Sequence, residues 1–553
     1  MSTQKKNESG FLIQGSILAV ASIISRVIGL LYRIPLKSIL GDMGNDYYGT
    51  AMEVYSILLL ISSYSLPLAV SKLVSNRVAK GERKNAYRLF KGAILFAAVS
   101  GTIAALIVYF GAEVITVYLV KTPLSIFALK VLAPTLLVVA ILGVIRGFFQ
   151  GMGTMMPSAI SQLLEQIVNA IVSIWAAYML FRYGSRIGAV LGNSDQYGAA
   201  YGAAGGTIGT GLGALAALLF VLFVFSVYVP VFKRQMLWDR RKGEESYRNI
   251  FFVLVMTIIP VLLSTTIYNI SSIIDMGIFK HVAAAQGYAE KTYSTLWGIF
   301  VGEYKVLINV PIAIASSLAA SSVPSLATAF ASRDIPQVRR KIASSIRFIM
   351  VIAFPCAVGM GVLASPILQL LFHDARQIPA RMIQVGAISI IFYSLSTLSN
   401  GILQGIDRMK APVKNAVITL ALHIGVLFIL MYGFDLNIYA VVWANTFFSF
   451  LMCILNGAAI RKYIKYRQEV VRTFLIPAIA AVVMGGAVYG MYELLIKTIK
   501  RNAIATAAAI LVGVIVYGVL LLLMRGLTEE ELKAFPKGYL LVKIAKKLHL
   551  LKK

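Results

Sequence analysis

The chemistry this sequence offers lies in ionisable residues set into long apolar stretches. Arg26 stands about 15 residues into the first such stretch, roughly 22 Å along a helix at 1.5 Å per residue. Arg33 and Lys37 follow on the same stretch. Their spacing puts three cations on one helix face. An unpaired charge at mid-membrane depth costs at least about 2.5 to 3.5 kcal/mol and persists only beside water, a partner or a ligand. A cationic stripe on a polar cavity suits an anionic ligand. Lys37, near the outer end of its helix, is expected to snorkel.

Further along, Glu303 and Lys305 share one apolar segment, and Asp275 shares a helix face with Ser264, Tyr268 and Ser271 in the segment before it. These five residues, Arg26, Arg33, Asp275, Glu303 and Lys305, form the candidate binding set, with Lys305 as a second anion contact. Glu53, Arg146, Glu165 and His423 read equally well as helix-end or packing groups. Cys356 and Cys453 both fall in apolar segments, so neither a disulfide framework nor a thiolate metal site is expected. The four histidines are scattered, which argues against zinc hydrolysis. The glycine-rich run from Gly198 to Gly213 is not followed by the Lys-Ser/Thr pair of a phosphate loop, and close helix packing is its expected role. No cofactor, metal or nucleic acid is expected.

The elements that must hold these charges follow from composition. Of 553 residues, 59% are hydrophobic and 14% charged, which describes a lipid-soluble chain and leaves no room for a soluble domain. Apolar runs near 20 residues, each able to cross roughly 30 Å of hydrocarbon, recur throughout. They predict an all-α polytopic membrane protein of fourteen helices, near 11–40, 47–76, 88–111, 123–147, 155–182, 199–230, 249–279, 293–322, 343–372, 380–404, 412–433, 437–461, 473–496 and 503–524.

The net charge of +29, from 52 basic and 23 acidic residues, would suggest nucleic acid in a soluble protein. Here the basic residues gather in every second connection, as at Arg77–Lys91, Lys233–Lys242, Arg333–Lys341, Arg408–Lys414 and Arg461–Arg472, whereas the others carry acids such as Asp42, Asp46, Asp195 and Asp374. That alternation puts the basic loops and both termini in the cytoplasm.

Overlaying the chain on itself at an offset of about 252 residues matches Gly147-Phe-Phe-Gln150-Gly151 with Gly401-Ile-Leu-Gln404-Gly405, each in a tight turn whose small residues suit a scaffold role. Two pseudo-symmetric six-helix lobes of the same orientation follow, over 1–232 and 233–468, with a helix pair over 469–525 and a cytoplasmic tail over 526–553. In that tail Leu540, Leu541, Ile544, Ala545, Leu548 and Leu551 line one side among lysines, which predicts an interfacial amphipathic helix.

Two segments carry a family resemblance. Ser25-Arg-Val-Ile-Gly29 is similar to a Ser-Arg-Val-Leu-Gly segment of the MurJ-like lipid II flippases, within the multidrug/oligosaccharidyl-lipid/polysaccharide exporter superfamily, and Pro324-Ser-Leu-Ala-Thr-Ala-Phe-Ala-Ser332 resembles the family's segment after the eighth helix. The resemblance implies a MATE-like fold, no bond chemistry, a bacterial cell-membrane location and a polyprenyl-pyrophosphate-linked saccharide as substrate, with membrane lipids around it and cell-wall synthesis proteins as possible associates. It places Arg26 on a family arginine required for function and Lys305 on a cavity arginine. A second-helix arginine of the Gram-negative branch aligns near Ile57 and Leu58 here, and Arg33 matches within one position. High basic content and the glycine-rich sixth helix look more like the Gram-positive branch that includes stage V sporulation protein B.

The expected function is alternating-access export of an anionic lipid-linked cell-wall precursor, lipid II first, with other polyprenyl-linked polysaccharides as the alternative. A cation-coupled multidrug antiporter of the same superfamily would instead carry an acidic site in its first lobe. A membrane glycosyltransferase would need convergent catalytic acids, and no such cluster occurs. Oligomeric state is left open by the sequence.

Overall fold

A computed structural model describes residues 20–60, 66–239, 243–527, 529 and 538–547. Every regular element among them is helical: α1 Val20–Leu31, α2 Arg33–Leu59, α3 Leu66–Ala79, α4 Arg83–Glu113, α5 Ile126–Gly151, α6 Met156–Leu191, α7 Ser194–Met236, α8 Tyr247–Asn269, α9 Ser271–Ala285, α10 Glu290–Ile299, α11 Lys305–Ala331, α12 Ile335–Val362, α13 Ala364–Phe372, α14 Gln377–Gly386, α15 Ser389–Gly405, α16 Lys410–Phe428, α17 Ile438–Ile464, α18 Ile476–Ile499, α19 Asn502–Leu523 and α20 Gly538–Lys547. Single π-helical turns follow α4, α10 and α16. Among the described residues ten helices are long and apolar enough to cross a membrane, eleven if α14 and α15, bent by 47° at a short break, are one span. The protein is a multi-pass membrane protein.

The chain forms two compact units dividing between Gly302 and Glu303. In the first, Gly41 takes φ 65°, ψ −174° inside α2 and so ends one helical run and begins another. That conformation is open to glycine and closed to most side chains. The apolar core joins α3, α4, α5, α7 and α8 through an aromatic cluster in which Phe90 stands 4.8 Å from both Phe148 and Phe225. The turn glycines Gly147 and Gly151 lie against α3: a Cβ would come within 2.6 Å of the Pro67 carbonyl and 2.8 Å of the Ser71 carbonyl, respectively.

The glycine run of α7 has the packing role expected of it. A Cβ at Gly205 would meet the Ala176 carbonyl of α6 at 2.4 Å, and one at Gly209 the Ser173 nitrogen at 2.5 Å. The freed space lets Ser173 Oγ donate to the Gly206 carbonyl at 2.8 Å. Both helices outrun their expected ends, because Arg182 and Arg186 in α6, and Lys233 and Arg234 in α7, leave the apolar window without breaking the helix. Only Gly192, in the left-handed region with its N–H on the Gly188 carbonyl, ends α6.

The segment before α8 is fastened to α3 and α4. Asp239 accepts from the backbone N–H groups of Arg83 (2.9 Å) and Lys84 (2.6 Å), supplying the start of α4 with the cap it lacks locally. Arg77 pairs with Glu245 at 2.5 Å and Arg88 with Glu244. The second unit repeats the device: Arg347 pairs with Glu469, and Arg339 Nε donates to the Ile464 carbonyl at 2.9 Å. Its core includes α12 against α18 and α19, where Tyr517 donates to the Val351 carbonyl at 2.8 Å. The tail is helical over Gly538–Lys547; Leu548 and Leu551 of its expected apolar side lie outside the described residues.

Candidate functional site

The three cations expected as one stripe occupy three environments. Arg26 is exposed on α1, which meets α6 through a hydrogen bond from Ser22 Oγ to Gln162 Oε1 at 3.1 Å. Arg33 is half-buried among Tyr32, Tyr48 and Glu53. The two tyrosine hydroxyls are 3.3 Å apart, and Asn169 Nδ2 donates to Tyr32 Oη at 3.4 Å. Lys37 does not snorkel: it is buried, with Nζ 3.5 Å from Asp42 Oδ1. The correction is electrostatic, since the chain turns at Gly41 and returns an acid to the lysine's reach.

Asp275 is buried on α9. Of the polar face expected beside it, Ser271 is half-buried, and the side chains of Ser264 and Tyr268 lie outside the described set. In the second unit Glu303 is fully buried in the π-helical turn before α11, with Oε1 3.8 Å from Arg376 Nη2, and Lys305, two residues on, is half-buried. Arg376 also clasps Asp374 with its side chain, and its backbone N–H donates to the same carboxylate at 2.8 Å. Burial works to raise the Asp374 carboxyl, but these Arg376 bonds hold it at about 2, below the usual carboxylate range.

Two polar constellations of the first unit were not assembled by sequence reasoning. Lys280 of α9 lies wholly buried, with Nζ 2.5 Å from Asp46 Oδ1, 2.6 Å from Thr122 Oγ1 and 3.1 Å from Thr50 Oγ1. Thr50 Oγ1 is also 3.1 Å from Asp46 Oδ1. In the other, Arg146 of α5 reaches over the tight turn into α6, donating from Nε to Ser161 Oγ and from Nη2 to Glu165 Oε2, both at 2.8 Å. That pair joins two of the residues read as packing groups, and its signal was available: both stand within a few turns of the same hairpin. The Lys280–Asp46 pair spans 234 positions, and only its charges, in an apolar helix and beside a short connection, hinted at it.

In the second unit the corresponding hairpin, α15 and α16, carries amides. Asn456 Nδ2 donates to Asn400 Oδ1 (2.7 Å) and Ser399 Oγ (3.0 Å), while Asn415 Nδ2 donates to Asn456 Oδ1 (2.9 Å). His423 is a packing group, buried with Nδ1 2.9 Å from the Ala444 carbonyl and its ring edge-on to Phe448. Among the described residues no three His, Cys, Asp or Glu side chains converge as a metal ligand set.

A family model described as lipid II flippase MurJ matches residues 70–505. The chain belongs to the MurJ family. Among curated members, the lipid II flippase MurJ of Bacillus subtilis (strain 168) is 24% identical over 544 residues, covering 87% of this chain and 94% of that protein. Stage V sporulation protein B of the same organism is 23% identical over 455 residues, covering 82% and 84%. Among solved structures, a lipid II flippase MurJ in an inward closed conformation superposes with a TM-score of 0.63 at 14% identity, covering 91% of this chain and 97% of that one. An inward-facing multidrug resistance MATE transporter of the MOP superfamily gives 0.64 at 15%, covering 82% and 98%. This MurJ-family chain therefore has the MurJ/MATE fold that its Ser25–Gly29 and Pro324–Ser332 segments suggested.

Proposed function

We propose that this MurJ-family protein moves an anionic lipid-linked cell-wall precursor, lipid II in the first instance, from the inner to the outer leaflet by alternating access. The family match over residues 70–505 carries the reading, and cations set into apolar helices support it. Arg26, Arg33 and Lys305 hold the pyrophosphate by charge-assisted hydrogen bonds, with Glu303 and Asp275 placing the cations and the saccharide. No bond is made or broken. An inside-negative potential favours outward movement of each negative charge by about 2.3 kcal/mol per 100 mV.

In this reading the ten apolar helices are joined by four interrupted spans, namely α1 with α2 up to Gly41, the rest of α2 with α3, α8 with α9, and α14 with α15. That makes fourteen, in two six-helix lobes over 1–232 and 233–468 plus a final pair, with both ends cytoplasmic. Asp195→Cys is then labelled by an impermeant maleimide from outside and Trp238→Cys only after permeabilisation; the reverse pattern sinks the topology. The deciding experiment is movement of lipid II across liposomes containing the purified protein. The 23% identity to stage V sporulation protein B favours one second reading, export of another polyprenyl-linked saccharide, which predicts no lipid II movement but movement of such a lipid in the same vesicles.

A further inference from the structure

Lys280 is a cation enclosed by oxygen. Asp46 Oδ1, Thr50 Oγ1 and Thr122 Oγ1 lie 2.5 to 3.1 Å from its ammonium. Lys280 and Asp46 side chains are both 0% exposed, and Asp46 Oδ2, equally buried, has no hydrogen-bond partner among the described residues. The carboxylate is thus only half used. The surroundings add negative charge: Glu53 from α2, which Arg33 shares, and Glu290 from α10 bear on Lys280, Tyr47 and Tyr293 stand by Asp46 and Glu290, and the Trp297 ring lies 6.0 Å from Nζ. Thr122 and the Lys121 carbonyl, which accepts from Tyr293 Oη at 2.8 Å, close the site from the connection before α5.

One carboxylate with an unused oxygen and two hydroxyls, buried together, form a hard oxygen site that suits a small cation, and one that replaces an ammonium carries a single charge. The lysine amine fills it from α9, an element of the second repeat, whereas Asp46, Thr50 and Thr122 belong to the first. Each of the three partners sits at or beside a connection assigned to the outside.

We infer that Lys280 is a tethered cation holding the outer side closed, and that a free monovalent cation, a proton or Na+, takes its place on Asp46 when α9 withdraws. The inference rests on the two-lobe, alternating-access reading above. A buried carboxylate left without a cation is strongly destabilised, so opening becomes favourable only when the outside supplies one, and closing releases that cation. The exchange couples the outer gate to the external medium without any cation crossing on the substrate.

The test uses melting of the purified full chain. In Lys280→Met the site has lost its own cation, so 200 mM NaCl should raise the melting temperature above that in 200 mM choline chloride by about 3 °C or more. Wild type and the Asp46→Asn/Lys280→Met double variant should show no such difference. If instead the shift appears in choline on going from pH 7.5 to pH 5.5, the proton is the exchanging cation. Identical melting of Lys280→Met in all these media overturns the inference.

Should Lys280→Met fail to fold, Met276→Cys serves in a chain whose two native cysteines are serine. Met276 is buried, with its sulfur 3.4 Å from Thr50 Oγ1. Its labelling from outside should increase with Na+ or with acid, and labelling indifferent to both overturns the inference. Neither readout depends on lipid II, so a failure here with lipid II still moving leaves the proposed function standing, and the converse result leaves the cation site standing.

Discussion

The two hairpins built around the Gly-x-x-Gln-Gly turns solve one problem with different chemistry. In the first unit Arg146 spans from α5 to Glu165 of α6 in a single reach. In the second unit the position five residues before the closing glycine is Asn400, too short to reach across, and the bridge passes through Asn456 of a third helix, α17. The ion pair keeps 13% and 24% of its side-chain surface exposed, whereas Asn456 is fully buried. At these hairpins charge is kept where water reaches it and neutral amides stand where it does not, in line with the cost of desolvating an ion. At these two hairpins the ionic bridge therefore belongs to the first unit and the neutral one to the second.

The hardest test of that asymmetry is functional. If the first unit's charge serves the substrate, Arg26→Ala abolishes lipid II movement while melting is unchanged, and Arg26→Lys, keeping the charge but losing the planar fork, falls between. Full transport by a well-expressed Arg26→Ala would end the cationic-site reading. Lys305→Arg should transport nearly as wild type.

Next in size is the ion pair itself. Glu165→Ala should cost about 2 to 3 kcal/mol in chemical denaturation, somewhat below a fully buried pair because water partly compensates the stranded guanidinium. Arg146→Asn/Glu165→Thr, which installs the residues found at the matching positions 400 and 419, should recover most of that loss, since no charge is stranded. A double variant as unstable as the single one would show that charge is not what the bridge is for.

Asn456→Ala should cost about 1 to 2 kcal/mol by leaving Asn400 and Asn415 with unmade bonds, with the same denaturation experiment as the measure. The smallest effect concerns pH. Because the Asp374 carboxyl is held at about 2 when folded, its contribution is complete above the ordinary carboxylate range and is lost as pH falls toward 2. Wild type should therefore lose melting temperature between pH 5 and pH 3 more steeply than Asp374→Asn, and equal slopes would remove Arg376 as its anchor.

Much of this was legible from hydrophobic runs and loop charge, because helices in lipid must satisfy their own backbone and announce themselves as long apolar segments. The helix ends were less so. The expected helix over 155–182 continues to Leu191 because arginines do not stop a helix, and the expected spans over 249–279 and 343–372 break near Ile270 and Leu363, where no proline stands at the break itself. At the candidate site the existence of embedded charges was legible, but their partners were not. Lys37 was expected to seek the interface since nothing in its own helix opposes it, and the acid that pairs with it arrives only through the Gly41 turn. Lys280 and Asp46 meet only once α9 is docked, a fact of tertiary packing that no local pattern encodes.

The α6–α7 hairpin bears on how the protein could be imaged. Its helices of 36 and 43 residues measure about 54 and 64 Å, longer than the roughly 40 to 45 Å of a bilayer with its headgroups. Interlocked glycines hold them together to within a turn of the tip, and the tip is a single tight corner at Gly192 and Asn193. A compact helical domain spliced in frame at that corner would inherit the orientation of the first unit, giving a membrane-embedded particle a rigid fiducial for electron cryomicroscopy.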